Sequence, residues 1–146
     1  MKPFSLDTVL NHRKRLLNMA RGRFAEAQAE YNEVKSQVEQ CVAERNGLVE
    51  TLAERQRAGI AIDEHVRFVN RIDLLDTELE RLRRRLQKKH EIVLRERQHL
   101  LQKSKEHRVL EKLKQRQDAQ WRQYLDRNEA KALDEIAILA TTRNYR

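Results

Sequence analysis

Five histidines (His12, His65, His90, His99 and His107) and one cysteine, Cys41, are the residues that could ligate a metal or attack a substrate. Zinc sites on helices place two imidazoles three or four residues apart, so that both reach one ion from one face. No two histidines here have that spacing. The stretch HEIVL from His90 opens like a zinc-protease helix, but Leu94 stands where the second histidine would be needed. Cys41 has no second cysteine to pair with, which fits a reducing compartment. It falls in an apolar row at helical spacing, where a thiol acts as a small hydrophobe. No glycine-rich phosphate loop occurs. These residues describe a protein that is not an enzyme and needs no cofactor and no metal.

Two other stretches could do chemistry by binding. RLRRRLQKK, Arg81 to Lys89, is the only dense basic run. Such a run can meet phosphates or acidic lipid heads, but two leucines at helical spacing interrupt it, as on the solvated face of a packed helix. Basic-zipper proteins gather their cations beside a long parallel zipper; here acids are interleaved throughout, so nucleic-acid binding is not expected. The second stretch is NEAKALDEIA, Asn128 to Ala137, an apolar and acidic patch near the end of the chain.

The elements that must carry these residues are long helices. The chain has 146 residues, 37% of them charged and 5% aromatic, with three glycines and one proline. A round core needs more apolar volume, and chains of this composition form long helices or coiled coils. The net charge of +8 is spread along the chain. No run approaches the ~18 apolar residues of a membrane span, and the first residues lack a continuous apolar signal core; a cytoplasmic protein is expected.

Phe4-Ser5-Leu6-Asp7-Thr8-Val9 reads as a helix start, with Ser5 as N-cap, Phe4 and Val9 as a hydrophobic staple, and Asp7 in the first turn. A heptad frame follows. One seam position takes Leu10, Leu17, Phe24, Tyr31, Val38, Arg45 and Leu52; the other takes Arg13, Ala20, Ala27, Val34, Cys41, Leu48 and Arg55. Eleven of these fourteen are apolar, which is the seam of a coiled coil. The frame breaks at RAGIAIDEH, where Gly59 suits a left-handed C-terminal cap and Asp63 the next N-cap. A second frame places Ile72, Leu79, Leu86, Val93 and Leu100 on one seam position, with Phe68, Leu75 and Leu82 on the other, which turns polar at Lys89, Glu96 and Lys103.

The expected fold is therefore all-α: two long helices, about 5–58 and about 63–140, joined by a turn at about 59–62. They form one antiparallel coiled-coil hairpin domain in which the second helix is the longer. At 1.5 Å per residue they span roughly 80 Å and roughly 115 Å. Residue i then faces about residue 121 − i, and the first helix runs out opposite about residue 115. Beyond it Leu110, Leu113, Gln117, Trp121 and Tyr124 form a stripe, which Leu125, Ala132, Leu133, Ile136 and Leu139 continue. Stripes of this kind without an intrachain partner mark interaction sites.

EHRVLEKLKQRQDAQWRQYLDRNEAKALDEIA, Glu106 to Ala137, resembles the C-terminal signature of the FliJ family of flagellar export proteins. The matching elements are Leu110-Glu111-Lys112-Leu113-Lys114, then Tyr124, then Glu129, Lys131 and Leu133-Asp134-Glu135-Ile136-Ala137. FVNRIDLLDTEL, Phe68 to Leu79, is similar to the family's stretch after the hairpin tip. Length, tip position and heptad layout agree over nearly the whole chain. Trp121 and the seam residue Arg45 are not part of the pattern.

The resemblance implies a stalk-like component of the flagellar type III protein export apparatus, similar to the central stalk of rotary ATPases. It implies insertion into the hexameric ring of a FliI-like export ATPase, promoting ring assembly and activity. It also implies contact with a FlhA-like export gate and escort of export chaperones, in the cytoplasm and peripheral to the membrane, with a monomeric free protein. The ring-facing residues would be Leu110, Leu113, Trp121, Tyr124, Glu129, Leu133, Asp134, Glu135 and Ile136. The gate would be met by Leu48, Phe68 and Ile72. The equivalent stalk of a virulence secretion system, and a structural coiled coil that only self-associates, are the alternative readings.

Overall fold

The computed structural model describes residues 6–144. Two α-helices, α1 (Asp7–Ala58) and α2 (Ile62–Asn144), account for almost all of them, and no strand occurs among the described residues. The fold is all-α, and its two helices contact one another as an antiparallel hairpin with the second helix longer.

Local chemistry sets the helix ends. The Leu10 amide donates to the Leu6 carbonyl at 2.8 Å, closing the first turn of α1, and Asp7 lies where the helix dipole favours a carboxylate. The cap assigned to Ser5 and the staple assigned to Phe4 lie outside the described residues. Arg55 and Arg57 occupy the last turn, where the dipole favours cations. Gly59 follows with φ of +97°, the left-handed step that ends a helix and that a side chain disfavours.

The start of α2 differs from the expectation. The His65 amide donates to the Ala61 carbonyl at 3.0 Å, so Ala61 holds the capping position. Asp63 and Glu64 sit in the first turn, favoured by the dipole without serving as caps. At its far end α2 continues to Asn144, past the expected 140. There the Thr141 and Thr142 hydroxyls donate to the Ala137 and Ile138 carbonyls, each at 2.9 Å, so their polar atoms bond within the helix rather than breaking it.

Two compact units divide the chain. The first joins the residues up to Asn18 with those from Leu101 onward. In it Leu10 and Leu17 are buried. Arg13 donates to Glu106 at 2.8 Å, and Lys114 approaches Asp7 at 3.5 Å. His107, Leu110, Lys114, Gln117 and Trp121 are half-buried, which extends the second heptad frame through Trp121.

The second unit is Met19–Leu100. Ala20, Ala27, Val34, Cys41, Leu79 and Leu82 are buried. Cys41, Leu79 and Leu82 form a cluster against which Val38, Val42 and Leu75 pack. The small residues on α1 let the larger leucines of α2 interdigitate, and full burial of each such leucine is worth ~1.5–3 kcal/mol. Polar seam positions are paired: Lys89 donates to Glu30 at 2.9 Å and Arg45 to Asp76. Tyr31 meets His90 with ring centroids 5.8 Å apart. These pairs lie within two residues of the 121 − i register.

Candidate partner-binding surface

The two heptad frames give each described face of α2 a partner or leave it open. From Arg122 to Asn144 every residue is exposed. The helix nevertheless keeps its apolar residues there: Leu133, Ile136, Ile138 and Leu139 each show more than 60% of their surface. Trp121, Leu125, Ala132, Ile136 and Leu139 recur at spacings of four, seven, four and three, so they share one helix face.

The candidate ring-facing residues divide by burial. Leu110 is half-buried, because it falls on the continued seam. Trp121 is half-buried too, and its ring stacks on Tyr124 with centroids 5.3 Å apart. Neither stands open to a partner to the extent that the stripe alone implied. Leu113, Tyr124, Glu129, Leu133, Asp134, Glu135 and Ile136 are all exposed. Leu133 and Ile136, three apart, are neighbours, and Asp134 and Glu135 turn by about 100° to either flank of them. Four cations (Arg122, Arg127, Lys131, Arg143) balance four carboxylates (Asp126, Glu129, Asp134, Glu135) over this exposed end. Apolar contact, rather than net charge, is what this surface offers.

Leu48, Phe68 and Ile72, the candidate gate residues, are half-buried seam positions. Phe68 lies beneath the Arg55 guanidinium, 5.5 Å from the ring centroid. Ile62, Val66 and Val69, at spacings of four and three on the same stretch of α2, are exposed instead. They lie off the heptad seam, and their spacing along α2 is the sequence signal that marks them. No cluster of His, Cys, Asp or Glu suited to a metal occurs among the described residues. No helix among them is long and apolar enough to cross a membrane.

Two long helices in an antiparallel hairpin, the longer carrying an apolar stripe into solvent, place the chain among all-α hairpin proteins. More particularly, the family model for the flagellar FliJ protein matches residues 1–146, and the chain belongs to that family. It is thereby a protein of the flagellar and type III export class. A solved structure of a YscO homolog, CT670 from Chlamydia trachomatis, is similar to it. That likeness covers 97% of this chain and 96% of that one, at 20% identity and a TM-score of 0.48. No curated protein matches the chain.

Proposed function

We propose that this protein is the stalk-like partner of a flagellar export ATPase, inserting the end of α2 into the hexameric ring and promoting its assembly and activity. The observation that carries this reading is the exposed apolar stripe on the ordered helix from Arg122 to Asn144. Water-exposed Leu and Ile side chains at helical spacing gain ~1.5–3 kcal/mol each when fully buried against a partner, less the cost of association. Leu133 and Ile136 supply the apolar contact. Asp134, Glu135 and Glu129 meet basic groups of the ring, and Leu113 and Tyr124 extend the contact toward the covered part of the helix. Leu110 and Trp121 support that surface from the seam.

In the same reading Leu48, Phe68 and Ile72 mark the part of the hairpin that meets the export gate, and the protein escorts export chaperones. It works without catalysis of its own, in the cytoplasm beside the membrane-embedded apparatus. Family membership supports the setting, and the exposed stripe supports the mode of contact.

The test mixes the protein with its cognate export ATPase at equal subunit concentration. ATP hydrolysis and the hexamer fraction should both rise. Leu133→Asp combined with Ile136→Asp should abolish the rise, because two carboxylates would have to be desolvated in the contact. No change in either readout with the unaltered protein refutes the reading.

A further inference from the structure

The second unit carries a row of cations on α2 that neither the hairpin nor the stripe uses. Arg81, Arg84, Arg85, Lys88 and Arg95 are all exposed. Their spacings from Arg81 of three, four, seven and fourteen put them on one face of the helix. Arg81 pairs with Glu78 at 2.5 Å and Arg84 with Glu80 at 2.7 Å, both within α2. Such exposed pairs are weak and exchange readily. Arg85, Lys88 and Arg95 have no ion pair among the described residues. Elsewhere in the same unit Arg45, Arg55, Arg71 and Lys89 each reach a carboxylate across the hairpin. Leu74, seven residues before Arg81 and 71% exposed, extends the row with one apolar side chain.

What borders the row decides what can lie on it. Ile92, four residues after Lys88 and three before Arg95, shares their side of α2. It lines a surface groove with Arg23, Glu26, Ala27, Glu30 and Glu96, three carboxylates against one cation. A flat anionic bilayer laid on this side would bring its charges against those carboxylates as well as against the cations. A nucleic acid would meet the same border, and no aromatic residue stands on the row to stack with a base. A narrow acidic helix meets fewer carboxylates: Glu78 and Glu80, already bonded to Arg81 and Arg84, and the exposed Glu91, three residues after Lys88. Four of the five cations are arginines, whose planar forks match carboxylates two bonds at a time.

We propose that the row Leu74, Arg81, Arg84, Arg85, Lys88 and Arg95 docks an acidic helical segment of a partner protein, with carboxylates at three-, four- and seven-residue spacing and one apolar residue beside Leu74. The row lies on residues separate from the exposed end of α2, so this interaction stands or falls independently of ATPase binding.

The test uses the full-length protein and a fluorescent alanine-based helical peptide with glutamates at those spacings and one terminal leucine. Its anisotropy should report binding that weakens as salt rises from about 50 to about 300 mM, since the screening length of exposed charges falls from ~14 Å to ~6 Å over that range. Arg85→Glu, Lys88→Glu and Arg95→Glu together should lower affinity by roughly tenfold or more. Arg83→Glu with Arg97→Glu changes cations of the other flank, where Arg97 lines a groove with Tyr31 and His90, and should have little effect. Circular dichroism checks folding, and the corresponding glutamine variants replace any that unfold. Three results overturn the proposal: no binding at low salt, equal binding of a peptide with scrambled glutamates, or equal loss in the other-flank variant. Tighter binding of a twenty-nucleotide single strand or of anionic phosphatidylglycerol vesicles through the same residues overturns it as well, assigning the row to phosphate.

Discussion

Single residues in this chain have opposite effects according to backbone geometry. Gly59 stands at φ +97°, so Gly59→Ala should destabilise the protein by ~1 kcal/mol through strain alone, because nothing crowds the added methyl. Gly22 and Gly47 lie inside α1, also with nothing within 4 Å of an added Cβ. Gly22→Ala and Gly47→Ala should each stabilise by ~0.5–1 kcal/mol. Thermal unfolding of the three variants would show a fall for the first and rises for the others. Glu106 provides a pH-dependent case. The Gln102 amide bonded to its carboxylate holds its pKa below the ordinary value; partial desolvation opposes this, and Lys103 and Arg13 lower it further. A carboxylate depressed on folding adds stability that is present above the unfolded pKa of ~4.3 and lost as pH falls through the folded pKa. The stability difference between the unaltered protein and Glu106→Gln, followed by denaturant unfolding, should hold steady from about pH 5 to 8 and shrink below about pH 4. A difference that instead grew on acidification would contradict the pairing.

At the scale of elements, the same leucine side chain has two different jobs. Leu82 is buried in the cluster with Cys41 and Leu79, so Leu82→Ala removes contacts that the hairpin cannot refill. It should cost ~2–4 kcal/mol in chemical denaturation. Leu133 is 61% exposed, so Leu133→Ala should change stability by no more than ~0.5 kcal/mol; under the proposed role it should also reduce the rise in ATP hydrolysis in the mixing assay. The elements themselves were legible. Eleven apolar positions at seven-residue spacing dictated the seam of α1, and the observed burial of Leu10, Leu17, Ala20, Ala27, Val34 and Cys41 follows it. The cap of α2 was less legible. Asp63 has the right chemistry for an N-cap, but the backbone already closes its first turn on Ala61, and hydrogen-bond geometry outranks side-chain preference there.

For the molecule as a whole, the deciding question is whether the exposed end of α2 meets itself or another protein. Its four cations and four carboxylates do not oppose association, so an apolar stripe that preferred its own copy would give a stable dimer. Light scattering of the free full-length protein should instead report a monomer, unchanged by Leu133→Asp with Ile136→Asp. A dimer that those substitutions dissolve would support the self-associating coil.

The sequence by itself determined two helices, the seam each presents, the antiparallel register and the position of the turn, because heptad spacing and a left-handed glycine act through local geometry. Tertiary structure decided how far the seam reaches. Half-burial persists through Trp121, whose ring Tyr124 stacks on, and Leu110 belongs to the part of α2 that α1 covers, while Leu133 and Ile136 stand in water. Their spacing could not separate these two cases, because an apolar residue on a helix reads the same whether or not a neighbour packs on it. Only the partner helix's presence or absence at each level removes water from one leucine and leaves it on the next.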